Sequence, residues 1–131
     1  MNENFNKLAE IERQLEFYSD IPAFLRLYSR EIDDLSKFGT LTGVEVRIEE
    51  LKSEIEKLLK QRQEVEKWIL SLPKIQRELL KLRYFEGRNW RQIEGSLQCK
   101  GFNLRIRQLQ NHKAAAIRTI AKNYEWKEVG K

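Results

Sequence analysis

Lys100, Arg105, Arg107, Lys113, Arg118 and Lys122 follow one another between Gly95 and Tyr124 with no acidic residue among them. Fixed cations in a one-signed run do one kind of chemistry well. Each, set against a phosphate, releases condensed counterions and adds affinity for a polyanion whatever its sequence. Gln108 and Asn111 stand among them, and Arg, Gln and Asn are the side chains that hydrogen-bond guanine and adenine edges in pairs. The net charge of +5 is segregated. Residues 1–72 hold 11 Lys/Arg against 15 Asp/Glu, a net of −4, and residues 73–131 hold 14 against 5, a net of +9. A solvated basic tail is the alternative. Arginines and amides interleaved with apolar residues at helical spacing argue against it.

Chemistry of other kinds lacks its parts. His112 is the one histidine and has no acidic residue within four positions, so neither a catalytic base nor a metal ligand is expected there. Cys99 is the one cysteine, which excludes an internal disulfide and points to a reducing compartment. Asp33–Asp34 and Glu49–Glu50 fall on solvated helix faces, and Glu78, Glu86, Glu94, Glu125 and Glu128 are too scattered to converge on a catalytic metal. The expectation is a non-enzymatic protein without cofactor or metal. No apolar run reaches the length of a membrane span and no secretory signal is seen, so a cytoplasmic location with no membrane partner is expected.

The elements that position the basic run read as all-α. With two prolines and six glycines there is little turn-forming material, which favours long helices. Leu8, Ile11, Leu15 and Tyr18 step by three and four, predicting a first helix over about 4–18. Ser19, Asp20 and Pro22 mark the start of a second helix running to about Lys37, with Phe24, Tyr28, Ile32 and Leu35 on one face. Gly39 and Gly43 bracket a connection. Val44, Ile48, Leu51, Ile55, Leu58, Arg62, Val65, Ile69 and Leu72 then keep an unbroken heptad register with one polar intruder, Arg62. In a parallel dimer Arg47 would oppose Lys52, and Leu59 and Trp68 widen the apolar stripe. Both favour a helical hairpin or bundle in which residues 44–72 pack on the first two helices, with homodimerisation as the alternative.

Pro73 opens a helix whose Ile75, Leu79, Leu82 and Phe85 share a face, closed by Gly87. Asn89 and Gln92 have capping-box spacing at the start of the next helix, which turns Trp90, Ile93 and Leu97 inward. A turn centred on Gly101 leads to a last helix expected from Asn103 to about Lys122. Projected at 100° per residue, Phe102, Ile106, Leu109, Ala116, Ile117 and Ile120 gather on one side. Arg107, Asn111, Ala114 and Arg118 lie opposite, flanked by Leu104, Gln108 and Ala115. This is the layout of a helix-turn-helix with a supporting helix before it.

The stretch LPKIQRELLKLRYFEGRNWRQIEGSL resembles region four of bacterial sigma factors, and RIRQL, Arg105 to Leu109, is similar to their recognition-helix segment. A heptad-bearing helical N-terminus running into such a unit is also the layout of phage late-gene regulators of the RinA/ArpU type. The resemblance implies a sequence-specific, double-stranded DNA-binding transcriptional regulator encoded by a phage or prophage and working in a bacterial host cell. It implies that Arg105, Arg107, Gln108 and Asn111 approach base edges, and that Arg88, Asn89 and Arg91 meet backbone phosphates. Lys113 and Arg118 join the DNA-binding set through their place in the acid-free run. Two features depart from the family: Glu94 stands where a small residue packs on the recognition helix, and the turn from Leu97 to Ile106 is longer. The expected division is 1–72 for oligomerisation or partner binding, 73–124 for DNA binding and a tail over 125–131, in which Trp126 is a candidate anchor. Residues 73–131 alone are expected to bind DNA and residues 1–72 none. Alternative readings are an RNA polymerase-binding adaptor or antiterminator, and a DNA-packaging subunit of the small-terminase kind.

Overall fold

A computed structural model describes residues 2–39 and 42–123, and every regular element among them is helical. The tail over 125–131, with Trp126, lies outside the described residues. Helix α1 spans Asn2–Tyr18, α2 Ile21–Ser36, α3 Thr42–Leu70, α4 Lys74–Leu80, α5 Trp90–Cys99 and α6 Ile106–Asn123. A π-helical turn, Lys81–Phe85, continues α4. The all-α class read from the periodicities is the class observed.

Local chemistry accounts for most boundaries. Asp20 sits at the N-cap of α2 but its backbone is already helical (φ −88°, ψ −17°), so its carboxylate makes no capping bond. Its carbonyl starts the helix instead, accepting from the N–H groups of Ala23 and Phe24 at 3.1 and 3.2 Å. Gly39 follows α2 with φ +77°, in the left-handed region that lets a chain leave a helix. Gly43 belongs to the first turn of α3 rather than to the connection.

The chain divides into two compact units, Met1–Ser19 with Val65–Lys131, and Asp20–Glu64. The second unit holds α2 and the first part of α3. Ile21, Leu51 and Leu58 are buried within this stretch of sequence, while Val44, Ile48, Ile55 and Arg62 are half-buried. Arg47 Nε donates to Glu31 Oε2 at 3.0 Å, tying α3 to α2, and Arg47 Nη1 lies 3.6 Å from a second carboxylate, Glu50. Leu59, expected to widen the apolar stripe, is 40% exposed.

The boundary expected between residues 72 and 73 is not where the structure divides. One apolar cluster joins Ile11 and Leu15 of α1, Val65, Trp68 and Ile69 of α3, and Leu72 to Leu80, Tyr84, Ala116, Ile117 and Ile120. Trp68 widens the α3 stripe as expected and is 3% exposed. The physical reason is a second apolar face on the C-terminal helices: Leu80 and Tyr84 on one, Ala116, Ile117 and Ile120 on the other. Unburied, that face would be a large exposed patch. Helix α1 and the end of α3 cover it. Tyr18 stacks on Phe85 with ring centroids 3.9 Å apart, and its hydroxyl donates to Glu66 at 2.6 Å.

The π turn explains one residue that the projection misplaced. Phe85 was expected beside Leu79 and Leu82, yet it packs with the α1 cluster. A wider turn advances each residue through less rotation than an α-turn, and this carries Phe85 round toward the side of Leu80 and Tyr84. Glu86 N–H donates to Lys81 O at 3.0 Å, closing the wide turn, and Gly87 at φ +65° ends it.

Candidate nucleic-acid interface

A second, smaller cluster holds the helix-turn-helix together: Leu79, Leu82, Ile93, Leu97 and Leu109, with Ile75, Trp90, Phe102 and Leu104 against it. Leu79, Ile93, Leu97 and Leu109 are fully buried, and they come from α4, α5 and α6. Four such side chains, each contributing roughly 1.5–3 kcal/mol on burial, set the angle at which α6 is presented.

Helix α5 starts as the spacing predicted. Asn89 Oδ1 accepts from Gln92 N–H at 2.9 Å, and Gln92 Oε1 accepts from Asn89 N–H at 3.0 Å. The capping box therefore occupies the oxygen of Asn89, leaving only its amide N–H groups for a phosphate. Arg88 is exposed but its Nε donates to Glu86 at 3.0 Å. Arg91, in the first turn of α5, is exposed and has no ion-pair partner among the described residues. Beside it, Arg83 lies over the Trp90 ring at 5.1 Å and reaches Arg88 O at 3.5 Å, bracing the loop between the helices.

Helix α6 begins at Ile106, three residues later than the sequence suggests, because the turn through Gly101 (φ +94°) runs on without regular structure to Arg105. Arg105 is thus the cap of α6 and not part of its face. Its carbonyl accepts from Leu109 N–H at 2.9 Å and its N–H donates to Gln108 Oε1 at 2.8 Å. Gln108 thereby helps to cap the helix start. The sequence reading places Gln108 on base edges; here its oxygen also serves the helix start, while its amide nitrogen carries no such bond.

The outward stripe is as projected. Arg107, Asn111, Ala114 and Arg118 are exposed, while Leu109, Ala116, Ile117 and Ile120 are buried. Among the described residues none of Arg105, Arg107 or Arg118 is held in an ion pair. A shallow groove runs along this face, lined by Leu104, Gln108, Asn111, His112, Ala115 and Arg118. Lys122 is also exposed and stands one turn beyond Arg118, an extension that helical spacing alone would have found.

Lys113, expected in the DNA-binding set, is ion-paired across to α1. Its ammonium lies 2.6 Å from Glu12 Oε2 of α1 and 5.9 Å from the centre of the Tyr84 ring, and its side chain is 21% exposed. Tyr84 donates to the same Glu12 oxygen at 3.3 Å. Burial first, then the neighbouring Glu12 charge, pushes the Tyr84 hydroxyl well above its ordinary pKa, so it stays a donor. Lys113 is a tie between α6 and α1. Lys100 is also engaged, donating to Glu78 at 2.6 Å. Glu94 is half-buried on α5.

Among the described residues no group of three His, Cys, Asp or Glu side chains is placed to hold a metal ion, and no helix is long and apolar enough to cross a membrane. The sequence matches no protein-family model, no curated protein and no solved structure.

Proposed function

We propose that this protein is a sequence-specific DNA-binding transcriptional regulator, encoded by a phage or prophage and acting in the bacterial cytoplasm. One observation carries the reading. The exposed stripe Arg107, Asn111, Ala114 and Arg118 lies on the last helix of a helix-turn-helix and faces outward without a carboxylate partner among the described residues. A helix so placed enters the major groove with its N-terminal residues on base edges. There Arg107 pairs with a guanine and Asn111 with an adenine, while Ala114 lets the helix approach the groove floor closely. Arg91, in the first turn of α5, meets a backbone phosphate, helped by the positive end of the helix dipole. The resemblance to sigma region four supports a promoter or operator as the site.

The test is selection from a random duplex library with the full-length protein, followed by titration of the selected duplex at several salt concentrations. The expected result is an enriched motif, bound more tightly than scrambled DNA, with affinity falling steeply as salt rises. A flat salt dependence, or no enrichment over random sequence, overturns the reading.

A further inference from the structure

The DNA-contacting surface does not stop at the C-terminal helices. Arg118 borders two grooves. One is the recognition groove with Asn111 and His112. The other, of about 410 Å³, is lined by Lys7 and Leu8 of α1 together with Arg118, Ala121 and Lys122 of α6. Among the described residues its polar side chains are all cationic, and no carboxylate lines it. Leu8 and Ala121 form an apolar floor, and Leu8 packs into the cluster that fixes α1 against α6. Lys7 is held half-buried beside two exposed cations by the packing of its own helix.

Three positive side chains brought together at one place repel one another. They are tolerated there because the groove opens to solvent, and an anion between them would turn the repulsion into attraction. Helix geometry says which anion. Lys122 lies fifteen residues beyond Arg107, about 22 Å along the helix axis, whereas the major groove is about 12 Å wide. With Arg107 and Asn111 on base edges, the last turns of α6 have left the groove and stand over the flanking backbone. Arg118, shared by both grooves, makes the surface continuous from base edges to this cluster.

We infer that Lys7, Arg118 and Lys122 form a clamp for a DNA backbone phosphate beyond the recognition site, so that the otherwise acidic N-terminal half supplies a DNA contact. The inference rests on the proposed DNA-binding role and adds to it a phosphate site on α1. Its chemistry is sequence-independent: the clamp positions the protein and reads no base.

The experiment uses the full-length protein, with the selected duplex and a scrambled one, over a series of salt concentrations. Lys7→Gln and Lys122→Gln should each lower the logarithmic salt slope by about 0.9, the value for one phosphate contact. Each should weaken both duplexes by the same factor. Lys7→Arg keeps the charge and should restore slope and affinity. Lys57→Gln removes the same charge from α3, at a side chain 70% exposed beside Glu54, and should leave the slope unchanged. Helical circular dichroism of each variant confirms that α1 stays folded. If Lys7→Gln binds like wild type while Arg107→Ala does not, the clamp is overturned and the DNA-binding role stands. An equal slope change for Lys57→Gln also overturns it, because net charge alone would then explain the effect. If wild-type protein shows no salt-dependent DNA binding, both readings fall together.

Discussion

Arg107, Gln108 and Lys113 are neighbours in sequence and polar or basic alike, yet their surroundings give them three different tasks. Arg107 is exposed and without an ion-pair partner among the described residues, Gln108 is committed to the Arg105 N–H, and Lys113 is paired with Glu12. Substitution should separate them. Arg107→Ala, and Asn111→Ala beside it, should cost about 1–3 kcal/mol on the selected duplex and blur preference at particular base pairs. Gln108→Ala should lower the melting temperature by loosening the start of α6, while the base preference measured by repeated selection stays the same. Lys113→Ala should leave the salt slope of DNA binding where it was. A base preference that shifts with Gln108→Ala would return that residue to the reading set. Arg91→Ala makes a fifth comparison, since a phosphate contact should be lost equally from selected and scrambled DNA.

Two polar devices hold the short helices, and each has a measurable share in their stability. The capping box closes the start of α5, and Asn89→Ala should destabilise the protein by about 1 kcal/mol, read from denaturant midpoints. The second device joins α4 to the end of α5. Lys100 Nζ donates to Glu78 Oε1 at 2.6 Å, and that hydrogen bond holds the Glu78 carboxyl below its ordinary pKa despite partial burial. A carboxyl with a depressed folded pKa contributes stability above the ordinary carboxylate range and loses it as pH falls through the folded value. The stability lost in Lys100→Met should therefore be present at neutral pH, less than about 1 kcal/mol because Lys100 is half exposed. It should vanish on acidification. A difference that persists in acid would mean packing, not charge, is responsible. These helices also show how far the sequence was readable. The capping box, the Gly87 stop and the two faces of α6 follow from local spacing and were legible. The π turn was not, because Lys81–Phe85 carries no local mark of it and its wider winding places Tyr84 and Phe85 against α1. The late start of α6 escaped for a related reason: Asn103 is as good a cap by type as Arg105 is poor, and the Gln108 amide decided between them. The surroundings of Lys113 and Lys7 are not legible in the sequence, because their neighbours are remote in it and only the packing of α1 brings them together.

Helix α1 belongs with the C-terminal helices, and this changes what a fragment must contain to carry the proposed DNA-binding role. Charge alone made residues 73–131 look self-sufficient, since that half holds the +9 balance. The apolar contacts point the other way. Leu80, Tyr84, Ala116, Ile117 and Ile120 are between 0 and 7% exposed only because Ile11, Leu15, Val65, Trp68 and Ile69 share their cluster. Cutting at residue 73 would uncover all five and break the Glu12–Lys113 and Tyr18–Phe85 contacts. The helix-turn-helix cluster around Leu109 would remain, but it is small, and a domain of under about 60 residues is marginal even with a complete core. A fragment over 73–131 should therefore show low helicity, a broad thermal transition and self-association through the uncovered face, seen by circular dichroism and sedimentation. Joining residues 1–19 and 65–131 with a short flexible linker in place of the intervening hairpin should restore cooperative unfolding, because it keeps both clusters and omits only the other unit. The linked form should also bind scrambled DNA with the wild-type salt slope, since it retains Lys7. If the 73–131 fragment proves as cooperative and as salt-sensitive as the intact chain, α1 is dispensable to the interface and the charge-based division at residue 72 is the better one.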